Sequence, residues 1–470
     1  LRFTQFYNAA RCWPTRTALL TGYYPHQVRA DPPAGRLPAW APLLPQRLKA
    51  AGYRCYHSGK WHVPGAPRAL ADGGFDRSYR LEDHDRNFHP RNVREDDQPL
   101  PPVATNSGYY TTTAVTDHAI RCLKEHAVRH RDRPFFAYLA FTVPHFPLHA
   151  LPEDIARYRE RYQEGWDAIR ERRARRLRAL GIVTNAPAPR DPDVVPHWNL
   201  PEAQLRERIG ADEVARAVAW ADLTPAQRSF QAAKMAVHAA MVDRMDREIG
   251  RVLDQLRDMG AFENTVILFA SDNGASAEQI IRGDGHDPTA PAGAASTFLC
   301  LGPGWSSAAN SPFRLHKSWV HEGGIATPLI VHWPAGLREK GALRHDPGHV
   351  IDLVPTLLEL AGLSAPATAA PVPALPGRSL VPAFARDGAV TREFLFFHHD
   401  HNRALRMGEW KVVTRRPATN TWSLFNLALD RGETTDLAAR EPVRVREMAA
   451  RWAALEEEFR AQAGIPTPRR

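Results

Sequence analysis

The chain has 470 residues, 43% hydrophobic and 24% charged, with a formal net charge of +9 at pH 7. That length allows a large core or roughly two to three domains of about 150 residues each, and no run of about 18 apolar residues is present to span a membrane. The positive charge is nearly all arginine and scattered, and its densest cluster, Arg170 to Arg178, falls on one predicted helix. A solvated face explains it better than nucleic-acid binding, because no recognition motif accompanies it.

The first element is a strand-like run, Phe3 to Tyr7. Cys12-Trp13-Pro14-Thr15-Arg16 then opens a short apolar helix, Thr17-Ala18-Leu19-Leu20, which stops at Thr21-Gly22. Proline suits the first helical turn and glycine the stop. Cys12 therefore sits at or just before a helix N-terminus, where free N–H groups and the macrodipole favour negative charge. Arg16, one turn on, reaches back toward it. Taken alone, a lone cysteine is more often a small buried apolar residue.

Gly52-Tyr53-Arg54-Cys55-Tyr56-His57-Ser58-Gly59 reads as a strand, followed by Lys60-Trp61-His62. Strand alternation would send Lys60 and His62 to one side, a fixed charge beside a titratable imidazole. A helix from Thr111 to about Arg129 precedes the strand Phe135 to Phe141, after which comes Val143-Pro144-His145-Phe146-Pro147. Residues 160–225 are highly charged and read as a helical insertion. Thr224-Pro225 caps a long helix with the stripe Met241, Met245, Ile249, Val252, Leu253 and Leu256, ended by Gly260. The strand Thr265 to Ala270 leads to Ser271-Asp272-Asn273-Gly274, hard oxygen donors at a strand's carboxyl end that suit a divalent cation, although a lone D-N-G is usually a turn.

A strand over Pro328 to Trp333 and a helix over Ile351 to Ala361 follow, then an irregular Pro/Ala-rich stretch, Ser364 to Pro376. Strands at Phe394 to His398, Trp410 to Thr414 and Trp422 to Leu427 predict a small antiparallel sheet, with a final helix from about Val443 to Gln462. Alternating strands and amphipathic helices make the chain α/β. The four cysteines, Cys12, Cys55, Cys122 and Cys300, show neither zinc spacing nor a disulfide framework. Only seven lysines occur, Lys60 and Lys317 among them; a chain this rich in arginine retains lysine where a compact point charge is needed.

Cys12-Trp13-Pro14-Thr15-Arg16 with Leu20-Thr21-Gly22 resembles the signature of type I sulfatases, and Gly59-Lys60-Trp61-His62 resembles their second signature. Pro144-His145-Phe146-Pro147, Asp272-Asn273-Gly274, Lys317 with Glu322-Gly323-Gly324, and the landmark Asp352 to Thr356 extend the resemblance over nearly the whole chain. It implies an alkaline-phosphatase-like sandwich, a central mixed sheet flanked by helices, over residues 1–385. A C-terminal α+β part would cover 386–470, and the helical insertion about 155–225. It implies a sulfuric ester hydrolase of arylsulfatase type in which a formylglycine-generating enzyme converts Cys12 to formylglycine. The hydrated aldehyde attacks sulfur, and the resulting sulfo-enzyme then releases sulfate. Arg16 would hold the diol, Lys60 and Lys317 the sulfate, His62 would deprotonate the diol, and His145 with Lys317 would protonate the departing alcohol or phenol. Asp272, Asn273 and modified Cys12 would ligate one Ca2+ ion.

The resemblance also sets limits. The family's first strand ends in an Asp-Asp pair that supplies two more metal ligands and would lie upstream of Leu1, while Asp96-Asp97 is a polar loop in the wrong place. The chain therefore reads as N-terminally truncated, with weak Ca2+ binding and weak turnover expected. An inactive anion-binding fragment is one alternative; a phosphonate or phosphate monoester hydrolase of the same superfamily is another. The partners implied are a sulfated small molecule or glycan, without nucleic acid or membrane. His149 reads as structural. His398 to Arg403 and the loop Glu82 to Arg94 read as lining the substrate mouth. A periplasmic or secreted setting fits the resemblance, and the sequence itself assigns none.

Overall fold

The computed structural model describes residues 1–363, 372–418 and 420–465. Most of the irregular stretch expected over 364–376 lies outside the described residues. In chain order the strands are β1 (Arg2–Tyr7), β2 (Arg54–Lys60), β3 (Arg77–Leu81), β4 (Val93–Glu95), β5 (Gln98–Pro99), β6 (Phe135–Ala140), β7 (Ile267–Ala270), β8 (Ala326–His332), β9 (Leu343–Arg344), β10 (Gly348–His349), β11 (Leu395–His399), β12 (Asn402–Met407), β13 (Trp410–Thr414) and β14 (Ser423–Asn426). The mixed sheet is present as two five-stranded sheets: β10-β1-β8-β7, with β9 also on β1, and β5-β4-β3-β2-β6. In the first, β1 runs antiparallel to β8 and parallel to β9 and β10; in the second, β2 runs parallel to both β3 and β6. No strand ladder joins β6 to β7 among the described residues.

Both of these edge strands nevertheless cover the same helices. Phe135 and Leu139 of β6 and Ile267 of β7 pack on Leu123 of the helix Thr111–Arg129 and on Val252 and Leu256 of the helix Pro225–Asp258. The long helix starts as its sequence predicts: Thr224 Oγ1 accepts from Gln227 N at 3.2 Å, and Gln227 Oε1 accepts from Thr224 N at 3.0 Å. The preceding insertion is only partly helical, over Gly165–Ala179 and Glu202–Arg208. Most arginines of the first of these helices are solvated, but Arg170 is buried and bonds Ala188 O and Ser307.

The C-terminal sheet is β11-β12-β13-β14, all antiparallel. The stretch expected to line the substrate mouth is a hairpin: Asp400 and His401, with φ of 46° and 63°, turn β11 into β12. Phe396, Leu405, Val412 and Leu424 from this sheet share one core with Trp452, Leu455 and Phe459 of the helix Pro442–Gln462 and with Phe3, Phe6 and Leu329 of the first sheet. Burying apolar surface at about 25 cal/mol per Å2 makes that shared core a strong attachment.

Candidate active site

The carboxyl ends of β2, β6 and β7 meet the N-terminus of the helix Cys12–Thr21, where α/β sheets place ligands. That helix closes at Gly22, whose N–H bonds Ala18 O at 2.9 Å. Its first residue, Cys12, is 5% exposed, with Lys60 Nζ 3.9 Å from its sulfur and His62 hydrogen-bonded to it. Burial pushes the Cys12 thiol up, but Lys60 and His62 outweigh it and hold the group well below its ordinary value. In Cys55, Cys122 and Cys300 burial outweighs the neighbouring cations, and each thiol is pushed up to about 12.

Strand alternation is not what brings Lys60 and His62 together. β2 ends at Lys60, and His62 is reached through a left-handed turn, with φ of 50°. Gly59 is needed just before it: a Cβ there would lie 2.2 Å from Ala140 O on β6. His62 has its ordinary value lowered by burial, against the raising effect of Cys12. Lys60 is lowered by burial in the same way.

Arg16 ties several elements to this point. Its Nε donates to Asp272 Oδ2 at 2.9 Å, its Nη1 to Lys60 O at 2.7 Å, and it hydrogen-bonds Tyr138 on β6. Burial raises the Asp272 carboxyl, but Arg16 and Lys60 bring it below the carboxylate range. Asn273 bonds Gly274 O through Nδ2 at 3.0 Å. Asp272 and Asn273 offer oxygen donors of the kind calcium takes, but calcium needs about six to eight. Among the described residues Asp272 joins no group of three or more His, Cys, Asp or Glu side chains able to hold an ion. The residues present do not complete a calcium site. Asp96-Asp97 does not contribute either: those residues make the β4–β5 turn and cap Ser78, Leu70 and Ala71.

On the opposite side, Lys317 Nζ lies 3.4 Å from His145 Nε2 and 2.6 Å from Glu278 Oε2. Burial, then Lys317 and Lys60, hold His145 well below its ordinary value, so it stands neutral. Glu278 also receives Arg11 and Trp198 Nε1; burial opposes its ionisation, yet Lys317 and Arg11 pull its carboxyl down to about 2. The guanidinium of Arg11 sits 4.8 Å from the rings of both Trp13 and Trp198. Trp13 in turn meets His62 and His399 edge-on, and His399 Nδ1 pairs with Asp31 Oδ2 at 2.8 Å. His149 bonds Thr297 O at 2.7 Å and is structural, as its sequence context predicts.

All eight sequence-predicted site residues therefore converge. Four more residues carried no motif. Glu278 lies four residues past the D-N-G turn without a recognisable signal. Asp31 and Trp198 come from loops whose sequences are ordinary. His84 falls in the loop expected at the mouth; its ring is 5.1 Å from His145 and 6.2 Å from His62. His84, Asp85 and His145 could together hold an ion by geometry, but Lys60 and Lys317 nearby make the spot repel cations. Four of the seven lysines, Lys60, Lys234, Lys317 and Lys411, are buried.

Comparison with known proteins accords with this arrangement. A family model described as Sulfatase matches residues 1–363, and one described as N-sulphoglucosamine sulphohydrolase, C-terminal, matches residues 313–458. The chain is 30% identical to an uncharacterized sulfatase of Schizosaccharomyces pombe, over 99% of this chain and 88% of the relative. It is 28% identical to an arylsulfatase of Klebsiella aerogenes, over 80% of this chain and 82% of the relative. A solved structure described as bound to its substrate D-glucosamine-2-N,6-O-disulfate shares the fold with a TM-score of 0.66 at 18% identity, covering 98% of this chain and 91% of that one. A family match across three-quarters of the length, on a chain that brings its signature residues together, makes this protein a member of the sulfatase family and a sulfuric ester hydrolase by that membership.

Proposed function

We propose that the chain hydrolyses the sulfate esters of sugars or phenols at Cys12, after Cys12 is oxidised to formylglycine. The observation that carries this reading is the gathering of cations and imidazoles around one cysteine at a helix N-terminus: Lys60 Nζ lies 3.9 Å from the Cys12 sulfur, His62 is hydrogen-bonded to it, and Arg16 and the Lys317–His145 pair stand beside them. Formylglycine supplies a hydrated aldehyde, one hydroxyl to attack sulfur and a second to expel sulfate.

The side chains around it take the remaining work. Lys60 and Lys317 bring two ammonium groups to the sulfate oxygens, where a buried setting strengthens their effect. Arg16 orients the nucleophile from the helix that carries it while its other donors stay on Asp272 and Lys60 O. His62, beside Cys12, accepts the proton that must leave for sulfate to be expelled. His145 is neutral and lies within 3.4 Å of the Lys317 ammonium, so the pair passes a proton to the departing oxygen. Calcium would draw on Asp272, Asn273 and the modified Cys12, and the donors present are too few for any step to be derived through it.

Mass spectrometry of the Cys12 peptide gives the first test, with a loss of about 18 Da marking conversion of thiol to aldehyde. Turnover of nitrophenyl sulfate, of a panel of sulfated sugars and of a phosphonate monoester gives the second. Converted protein that cleaves the phosphonate and leaves every sulfate intact would replace this reading with the phosphonate one.

A further inference from the structure

A second cluster of buried charge lies behind the site, on the C-terminal sheet. Lys411 Nζ on β13 is 3.1 Å from Glu322 Oε1 and 2.8 Å from Glu433 Oε1, and all three side chains are fully buried. Arg431 Nη2 lies 3.1 Å from Glu322 Oε2, which also accepts from the Tyr7 hydroxyl at 2.9 Å, and Arg406 Nη1 donates to that hydroxyl at 2.7 Å. Glu433 Oε2 accepts from the backbone N–H of Glu322 at 2.8 Å. Three cations and two carboxylates are thus withdrawn from water together. As a plain stabiliser such a cluster gains little over packed apolar groups; its better-attested use is to fix one arrangement against others.

What it fixes is legible in the backbone. Glu322 opens the short turn Glu322–Ile325, and Gly274 N donates to Gly324 O at 3.0 Å. The two strands of chain are in direct backbone contact: a Cβ on Gly274 would lie 1.9 Å from Gly323 O. Lys317 N donates to Ala275 O at 3.0 Å, and Gly323 N to Arg314 O at 2.8 Å. Glu322 thus directly precedes the two glycines that pack on the Asp272–Gly274 turn, and Ala275, next to that turn, holds the backbone N–H of Lys317.

We infer that Lys411 and Glu433 are positioning residues: through Glu322 they clamp the Asp272–Asn273–Gly274 turn and Lys317 in register from the C-terminal sheet. The inference rests on the proposed site for its role in the reaction, but its mechanical part stands apart from it. Hydrogen exchange read by mass spectrometry on the full chain tests the mechanical part. In Lys411→Met and in the milder Glu433→Gln, amides in peptides covering 270–276 and 317–325 should exchange at least about threefold faster. They should stay at the wild-type rate in Met448→Ala, which loosens the same core from the helix Pro442–Gln462 without touching the cluster. With formylglycine in place, kcat of Glu433→Gln should fall by about tenfold and KM stay within about twofold. If Lys411→Met does not fold, Glu433→Gln carries both measurements. Unchanged exchange at 270–276, or exchange that rises equally in Met448→Ala, overturns the clamp. Faster exchange with wild-type kcat overturns its part in the reaction. Wild-type protein that is converted yet inert toward every sulfate ester counts against the sulfatase reading, and the exchange data still decide the clamp.

Discussion

Lys317 donates to Glu278 at 2.6 Å, and the carboxylate that receives it is shared with Arg11 and Trp198. An ammonium has three hydrogens. One is committed to Glu278, so the lysine keeps others for His145 and for an anion in the pocket. Glu278 thus aims a cation whose target lies elsewhere.

Replacement of Glu278 by Gln should therefore be costly. Its carboxyl is depressed from 4.5 to about 2 in the folded chain. A depressed carboxyl contributes stability that is fully present above the unfolded value and is lost as pH falls through the folded one. The stability gap between wild type and Glu278→Gln should be larger above pH 4.5 than near pH 2, by roughly 3 kcal/mol, shrinking on acidification between them. Denaturant unfolding across that range measures it; a gap that is flat with pH would show that the carboxylate charge is irrelevant.

In protein that still carries the thiol, Cys12 should be alkylated first. At pH 7 a brief pulse of a small alkylating reagent, followed by peptide mass analysis, should label Cys12 at least about tenfold faster than Cys55, Cys122 or Cys300, because the thiolate is the reacting form. Equal labelling would show that access, rather than the Lys60 and His62 partnership, controls reactivity.

His84 should matter although no motif announced it. Truncation to Ala removes a ring that packs on His145 and should lower kcat/KM by about tenfold, or roughly 1.4 kcal/mol. Burial, Lys60 and His62 keep His84 neutral well below its ordinary value. The loss should accordingly be the same from pH 7 to 8, within the neutral range; a loss confined to one side of it would assign His84 a titrating role instead.

Phe269 and Ile330 are 38% and 43% exposed on neighbouring strands. Two large apolar residues exposed side by side favour association. Phe269→Lys should reduce self-association in light scattering and change stability by less than about 1 kcal/mol. Unchanged scattering would locate any association elsewhere.

Sequence reasoning went furthest where local chemistry decides conformation. The Thr224-Pro225 start of the long helix, the proline-led helix of Cys12 and the strand at Trp410–Thr414 all followed from side chains acting on their own backbone. The site residues were legible because their spacing matches a known signature. Glu278, His399 with Asp31, and the Lys411 cluster were not, since each is defined by partners tens to hundreds of residues away. The hairpin at Asp400-His401 was not legible for a different reason: its two positive-φ positions carry no glycine to mark the turn.

Among the described residues, no ladder of backbone hydrogen bonds joins the two main sheets, whose edge strands β6 and β7 pack on the same helices. Arg16 crosses that seam, with one hand on Tyr138 and Lys60 O in the second sheet and the other on Asp272 beyond the first. Side chains therefore hold this seam: one guanidinium, together with the apolar residues of β6 and β7 that pack on the same two helices. A shorter or differently shaped cation there would reset the distance between the nucleophile's half of the pocket and the carboxylate's half while leaving both sheets folded.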